Sequence, residues 1–222
     1  MVAPGIGFTY AIGTEDAAPR FFGEHLRPGM TVWDLGANKG QMALLFASLV
    51  GPQGRVLSFE PASNEHEALI RNVTLNGMDQ IETVKAAVSE QSGHLTFHYT
   101  PEHPTQGKLA DVEPTYGNAG QTVTVEAVTL DDLLDEKPRP HMLKIDVEGA
   151  AAAAFRGGRR LLREVRPHLF IELHGPEEQA GVRDEVVGNG YIAYTLNGTV
   201  VSDPTNGWHS PLWCVHPDGP NV

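Results

Sequence analysis

Cysteine is all but missing: Cys214 stands alone in 222 residues, which excludes an intrachain disulfide and any zinc site built from several thiolates. Long apolar runs are missing too. The longest, Met42 to Val50, falls short of the ~18 residues of a spanning helix, and no basic segment followed by an apolar stretch opens the chain. Neither membrane insertion nor export is expected, and the cytoplasm is the expected compartment. Positive charge is scarce: 16 Lys and Arg face 28 Asp and Glu, a net charge of −12. That balance repels phosphate backbones and anionic lipid, so nucleic acid and membrane surfaces are not expected partners. No repeat or low-complexity tract appears, and the length suits one core with insertions. Oligomeric state is not legible.

What is there is a rhythm of short β-branched or apolar runs, sharp Gly, Asn or Asp turns, and segments with helical spacing. Strands are expected at Thr31 to Asp34, Arg55 to Glu60, Glu82 to Ala87, Met142 to Asp146 and His168 to Leu173, with helices starting near Gln41, Ser63, Gly149 and Glu177. Such alternation predicts an α/β fold of three layers around a mostly parallel sheet. Tyr191 to Leu196 and Pro211 to Val215 are joined by a loop without helical pattern and should pair antiparallel at one edge. Residues 1–29 form an N-terminal segment with a short helix near Glu15 to Leu26, and 30–222 the main domain. An insertion near 94–128 breaks the rhythm: Leu95 to Tyr99 and Thr122 to Val128 alternate like strands around a polar loop, Thr100 to Gln121, interrupted by Gly and Pro and expected to be mobile.

The strongest local signal is Val32-Trp33-Asp34-Leu35-Gly36-Ala37-Asn38-Lys39-Gly40, an apolar strand ending on an acid and running into a glycine turn that opens a helix. Gly36 and Gly40 permit backbone angles and close approach that a Cβ forbids, and the helix start should present unpaired N–H groups. The spacing departs from the Gly-x-Gly-x-x-Gly of dinucleotide sites. The carboxylate of Asp34 should repel a diphosphate and suit a ligand carrying an ammonium and a sulfonium, as S-adenosylmethionine does. Glu60, before Pro61, ends the next strand, where a carboxylate can accept both hydroxyls of a ribose. Ala87 and Val88 are small and apolar, a place for a flat adenine.

The last two main strands end on Lys144-Ile145-Asp146 and Glu172-Leu173-His174. Alternate residues share a face, so these four ionisable groups should converge where open α/β sheets bind ligands. Lys144 and Glu172 are candidates for a buried ion pair. His174 is the candidate base, with Glu172 orienting it. Asp146, Glu172 and His174 are alternatively a ligand set for magnesium or manganese. His168 reads as structural, His94 and His98 as surface, Cys214 as core, and Trp208 and His209 as overhanging the acceptor.

These residues resemble the FkbM family of S-adenosylmethionine-dependent methyltransferases from about Met30 to His174. The resemblance rests on Asp34 to Gly40, Phe59-Glu60-Pro61, Thr129-Leu130-Asp131-Asp132-Leu133, Lys144-Ile145-Asp146-Val147-Glu148-Gly149 and Ile171-Glu172-Leu173-His174. It implies a seven-stranded Rossmann-like fold, with Asp34, Gly36, Ala37, Asn38, Gly40, Glu60, Pro61, Ala87, Val88 and Asp146 at the cofactor. It also implies O-methylation of a sugar, polyketide or other small hydroxylated acceptor, with Lys144, Glu172 and His174 at the reacting end. The family usually carries Glu where this chain has Ala151, which implies an altered acceptor pocket or weakened catalysis. Two other readings compete: a nicotinamide-dependent oxidoreductase, which shares the sheet and the ribose acid, and a degenerate member that binds cofactor without turnover.

Overall fold

The computed structural model describes residues 17–100, 103–109, 121–202, 208 and 211–220. Seven strands form the main sheet in the order β10-β11-β9-β8-β1-β2-β3. They are β1 (Thr31–Leu35), β2 (Arg55–Phe59), β3 (Ile81–Val84), β8 (Met142–Ile145), β9 (His168–Ile171), β10 (Ile192–Thr195) and β11 (Leu212–Val215). From β3 to β9 all pairs are parallel, while β11 runs antiparallel to both β9 and β10. The expected mostly parallel sheet with antiparallel edge strands is therefore the observed one.

Because both faces are covered, the strands are apolar almost throughout, and alternation sends their side chains to two separate cores. Trp33, Leu35, Leu57, Leu143, Ile145 and Ile171 pack under α4 (Leu130–Glu136), α5 (Ala151–Arg156), a π-helical turn at Leu161–Val165 and α6 (Pro176–Gly188). Val32, Val56, Met142 and Phe170 pack on the other face under α1 (Ala17–His25), α2 (Gln41–Val50) and α3 (Ser63–Asn76). Within α1, Phe22 lies against both Phe46 and Phe170, with ring centroids 4.7 and 4.6 Å apart.

The chain after β1 travels outward through β2 and β3, then returns to the other side of β1 to form β8 and β9. The order therefore reverses between β1 and β8, and the crevice beyond their C-terminal ends is where such sheets hold ligands.

Two expectations are corrected in the crossing segment. The single strand expected over Glu82 to Ala87 is divided, since Lys85 and Ala86 break it and β4 (Ala87–Val88) leaves the main sheet to pair with β7 (Gln121–Val128). A second sheet of order β4-β7-β5-β6 results, in which β5 (Gly93–Thr100) pairs antiparallel with β7. The stretch expected as loop contains a strand, β6 (His103–Leu109), paired with β5 despite Pro104 and Gly107. As the outer strand of its sheet it tolerates Pro, which donates no ladder bond. The remainder of that loop lies outside the described residues. No helix among the described residues is long and apolar enough to cross a membrane.

Candidate active site

The site grows from the reversal point. β1 and β8 are in register with Asp34 beside Lys144, and both side chains are buried. The Lys144 ammonium lies 3.4 Å from Asp34 Oδ1 and 3.3 Å from Asp146 Oδ2, and it donates to the Gly36 carbonyl at 3.1 Å. Burial works against its charge, but the carboxylates of Asp34, Asp146 and Glu172 outweigh that effect and hold its pKa above the ordinary lysine value. Burial pushes the Asp34 carboxyl up, opposed by Lys144. The expected Lys144–Glu172 interaction is thus one part of a larger charge cluster. Lys144 sits between Asp34 and Asp146, with Glu172 contributing charge, because parallel register places its neighbour's acid alongside it while Asp146 follows two residues on.

The expected role of Asp34 changes for the same reason. Its carboxylate is fully buried and faces the Lys144 ammonium, so it does not present itself to a cationic ligand. Asp146, at the strand end, is the part-exposed carboxylate of the pair.

The glycine turn is closed by its own amides. Gly36 and Ala37 N–H donate to the Phe59 carbonyl, Asn38 N–H to Glu60 Oε2, Lys39 N–H to Asn38 Oδ1, and Gly40 N–H to the Ala37 carbonyl. The amides of residues 36–40 are used within the protein, where left-handed Gly36, Asn38 and Gly40 curl the loop onto β2, while the helix start beyond them, where unpaired N–H groups are expected, has no side-chain cap at Gly40. A diphosphate cradle depends on free amides at this bend, whereas these are spent within the protein. Gly36 has no substitute here, since a Cβ would drive into the Asp146 carbonyl oxygen.

Glu60 is clamped by two amides, Asn38 N–H on Oε2 and Ala62 N–H on Oε1, each at 2.9 Å. Each oxygen keeps an acceptor position, which fits a vicinal diol. Burial pushes this carboxyl up to about 7, against the two amide bonds. Behind Pro61, Ala62 packs with Ala87 and Val125, while Val88 belongs to the core under α4.

Beyond β8, Glu148 and Gly149 both take left-handed backbone, turning the chain so that Glu148 comes back towards the end of β9. His174 meets it there. Its Nε2 bonds Asp146 Oδ1 at 2.8 Å, and its Nδ1 lies 3.5 Å from Glu148 Oε2. The bond to Asp146, opposed by burial and helped by the charges of Glu148, Asp146 and Glu178, raises the His174 pKa. Asp146 is held below the usual carboxylate range by His174 and Lys144, which overcome its burial. The carboxylates of Asp146 and Glu148 therefore face the two ring nitrogens of His174. The candidate metal-ligand set changes likewise: the donor atoms of Asp146, Glu148 and His174 all lie within 4.8 Å of one another, and this trio replaces the expected one containing Glu172. Sequence reasoning missed Glu148 because only the left-handed turn folds it back.

Other expectations resolve simply. His168 is structural, taking the Trp213 indole N–H on Nδ1 and bonding the Pro220 carbonyl through Nε2. Cys214 is buried core and His94 is exposed. Trp208 is buried in the α4–α6 core rather than overhanging a pocket. His209 and the His98 side chain lie outside the described residues. Ala151 is fully buried.

An open sheet that reverses beside a closed glycine turn, with Glu60 at the end of the next strand and the Asp146–His174 pair across from it, is the arrangement expected of Rossmann-type S-adenosylmethionine-dependent methyltransferases. Residues 34–193 match the Methyltransferase FkbM domain, and the chain belongs to that family, which excludes the oxidoreductase alternative. It is 28% identical to methyltransferase sdnD of Sordaria araneosa over 182 residues, 69% of this chain and 68% of that protein. It is 29% identical to the 31-O-demethyl-FK506 methyltransferase FkbM of Streptomyces tacrolimicus, over 61% of this chain and 62% of that protein. With the hexuronic acid methyltransferase AglP of Haloferax volcanii it shares 23% identity, over 64% of this chain and 55% of that protein. The latter two matches span less than two thirds of those relatives. An S-adenosylmethionine-dependent O-methyltransferase of Thermotoga maritima superposes with a TM-score of 0.54 at 10% identity, over 91% of this chain and 65% of that one. At that identity the likeness shows the fold alone.

Proposed function

We propose that the chain transfers the methyl group of S-adenosylmethionine to a hydroxyl oxygen of a small acceptor, a sugar or polyketide-type alcohol. The observation that carries this reading is the 2.8 Å pair of His174 and Asp146, with Asp146 directly after β8 at the reversal of the sheet. The names of the FK506 and hexuronic acid relatives support an oxygenated small molecule, and the net charge of −12 disfavours a nucleic acid acceptor.

When bound, the cofactor supplies a methyl carbon already activated by a positive sulfur, so positioning and exclusion of water account for much of the acceleration. Glu60 would accept hydrogen bonds from the ribose hydroxyls, and Asp146 would face the methionine end. Lys144 keeps Asp34 and Asp146 from repelling one another. His174, its Nε2 fixed on Asp146, would take the acceptor's hydroxyl proton at Nδ1, on its Glu148 side, while the acceptor oxygen bonds the methyl carbon and the carbon–sulfur bond breaks to leave a neutral thioether. Its raised pKa makes it the stronger base.

The reading is tested by titrating the protein with S-adenosylmethionine and then screening sugars, uronic acids and polyols for transfer of a labelled methyl group. Binding and transfer are expected. Binding with no transfer to any of them would favour the degenerate-module reading, and loss of binding would overturn the proposal.

The clamp makes cofactor affinity depend on pH. A carboxyl raised from 4.5 to about 7 contributes stability that is complete below 4.5 and is lost as pH rises through about 7, because ionisation in the buried state is unfavourable. Donors on a ribose favour the ionised form, so affinity should strengthen about tenfold between pH 6 and pH 8. Glu60→Gln should bind weakly and without that slope. Calorimetry at four pH values measures it, and an equal slope in the variant would remove Glu60 from the ribose site.

A second reading is favoured by the convergence of Asp146, Glu148 and His174. Two carboxylates and an imidazole suit manganese or magnesium, which would lower the pKa of a bound acceptor hydroxyl. Under that reading exhaustive chelation abolishes transfer and manganese restores it. Under the base mechanism turnover survives chelation.

A further inference from the structure

Glu178 touches no reacting group and enters the chemistry above only through its charge on His174, yet its carboxylate is buried, at 6% exposure, inside the first turn of α6. Burying a carboxylate is costly unless each oxygen is bonded. Here Oε2 accepts the His174 backbone N–H at 2.6 Å and Oε1 the Ala151 backbone N–H at 3.0 Å. Those two amides belong to the two segments that carry the site. One is the turn after β9 that ends on His174. The other is the start of α5, immediately after Asp146 to Gly149, where Ala150 offers no side-chain cap. A single carboxylate therefore cross-links the roots of the His174 and Asp146 loops.

The alanine run explains how Glu178 comes within reach. Ala151 and Ala154 are fully buried, and a Cβ on Gly181 would stand 2.8 Å from the Ala152 methyl. α5 and α6 thus meet at nearly backbone distance, with small residues on both sides of the contact. A run that reads as generic helix-forming sequence here serves close packing, which delivers the α6 carboxylate to the α5 amide.

We infer that Glu178 is a positioning residue: by tying the His174 turn to the start of α5, it sets the imidazole on Asp146, an inference that rests on the proposed reading of His174 as proton acceptor. Groups held by such supporting bonds typically lose about 10–100-fold in activity when the support is removed.

Glu178→Gln preserves volume but leaves one acceptor oxygen for two amides and turns an NH2 towards the other N–H. In nitrogen-15 NMR spectra of the intact protein, the His174 amide proton should lose the low-field position that a short bond to a carboxylate produces, and the His174 ring resonances should move. With the acceptor found in the methylation screen, kcat should fall about 10–100-fold while the acceptor KM and the S-adenosylmethionine Kd stay within twofold. Gly181→Ala, which forces the helices apart while leaving Glu178 in place, should move the same signals in the same direction by less, and serves if the first variant folds poorly. His174 ring resonances unchanged in both variants would overturn the inference, since a carboxylate that merely satisfies the core would lower stability without touching the ring. His174→Ala separates the two ideas. Full turnover in it would defeat the proton-acceptor reading itself, whereas lost turnover there with retained turnover in Glu178→Gln would defeat this inference alone.

Discussion

Lys144→Met is expected to destabilise the fold by roughly 3–5 kcal/mol at neutral pH, the range for a buried pair stripped of one partner. The reason is local. Asp34 is fully buried, and its oxygens accept no hydrogen bond within the described residues, so the ammonium 3.4 Å away is what makes its charge tolerable. Without that ammonium the carboxyl pKa rises further. The deficit relative to the wild type should therefore be fully present above the raised pKa and shrink as pH falls, when Asp34 protonates and the buried charge disappears. The double variant Asp34→Asn with Lys144→Met should recover most of the loss, because neither charge remains. Denaturant melts at neutral and acidic pH measure both effects. A single variant as stable as wild type, or a deficit that grows with acid, would show that Asp34 is not ionised in the native protein.

The largest effect on turnover is expected at His174. Its removal as His174→Ala should cut kcat about 10²–10⁴-fold, the usual contribution of a positioned base, with S-adenosylmethionine affinity nearly unchanged. Asp146→Asn should fall in a similar range, since the ring loses the partner that fixes Nε2. The two together should be little worse than the more severe one alone, because groups acting as a unit are not additive. Initial rates and cofactor calorimetry on the three variants give the answer. Additive losses would mean that the 2.8 Å bond has no part in catalysis and that Asp146 and His174 act separately.

Asp34, Glu60, Asp146 and Glu172 stand at or just past the C-terminal ends of β1, β2, β8 and β9, but the partners of the marked residues differ from those expected. Strand-end positions are legible because a parallel strand is apolar until it leaves the sheet, so Asp34, Glu60, Asp146 and Glu172 stand out as the first acids. Pairing is not legible in the same way. Lys144 lies two residues from Asp146 in sequence, yet it also meets Asp34, more than a hundred residues away, because of the β1–β8 register. Glu148 stood inside the Lys144 to Gly149 motif without a role of its own, and Glu178 carried no signal at all. One depends on a left-handed backbone at a non-glycine residue, the other on the near-contact of two helices through Gly181 and Ala152.

Local chemistry is what one chain of letters determines: the period of apolar residues dictated strands and helices, the bend after Asp34 dictated a tight glycine turn, and the motif from Lys144 to Gly149 pointed to the FkbM methyltransferases, whose domain residues 34–193 match. Tertiary structure alone decided which charges neutralise one another and which amides remain free. It turned Asp34 from a ligand contact into a buried counter-ion and consumed the N–H groups of the glycine turn. Electrostatic partnership depends on distances of a few ångströms between segments far apart in sequence, and those distances exist only once the sheet has closed around them.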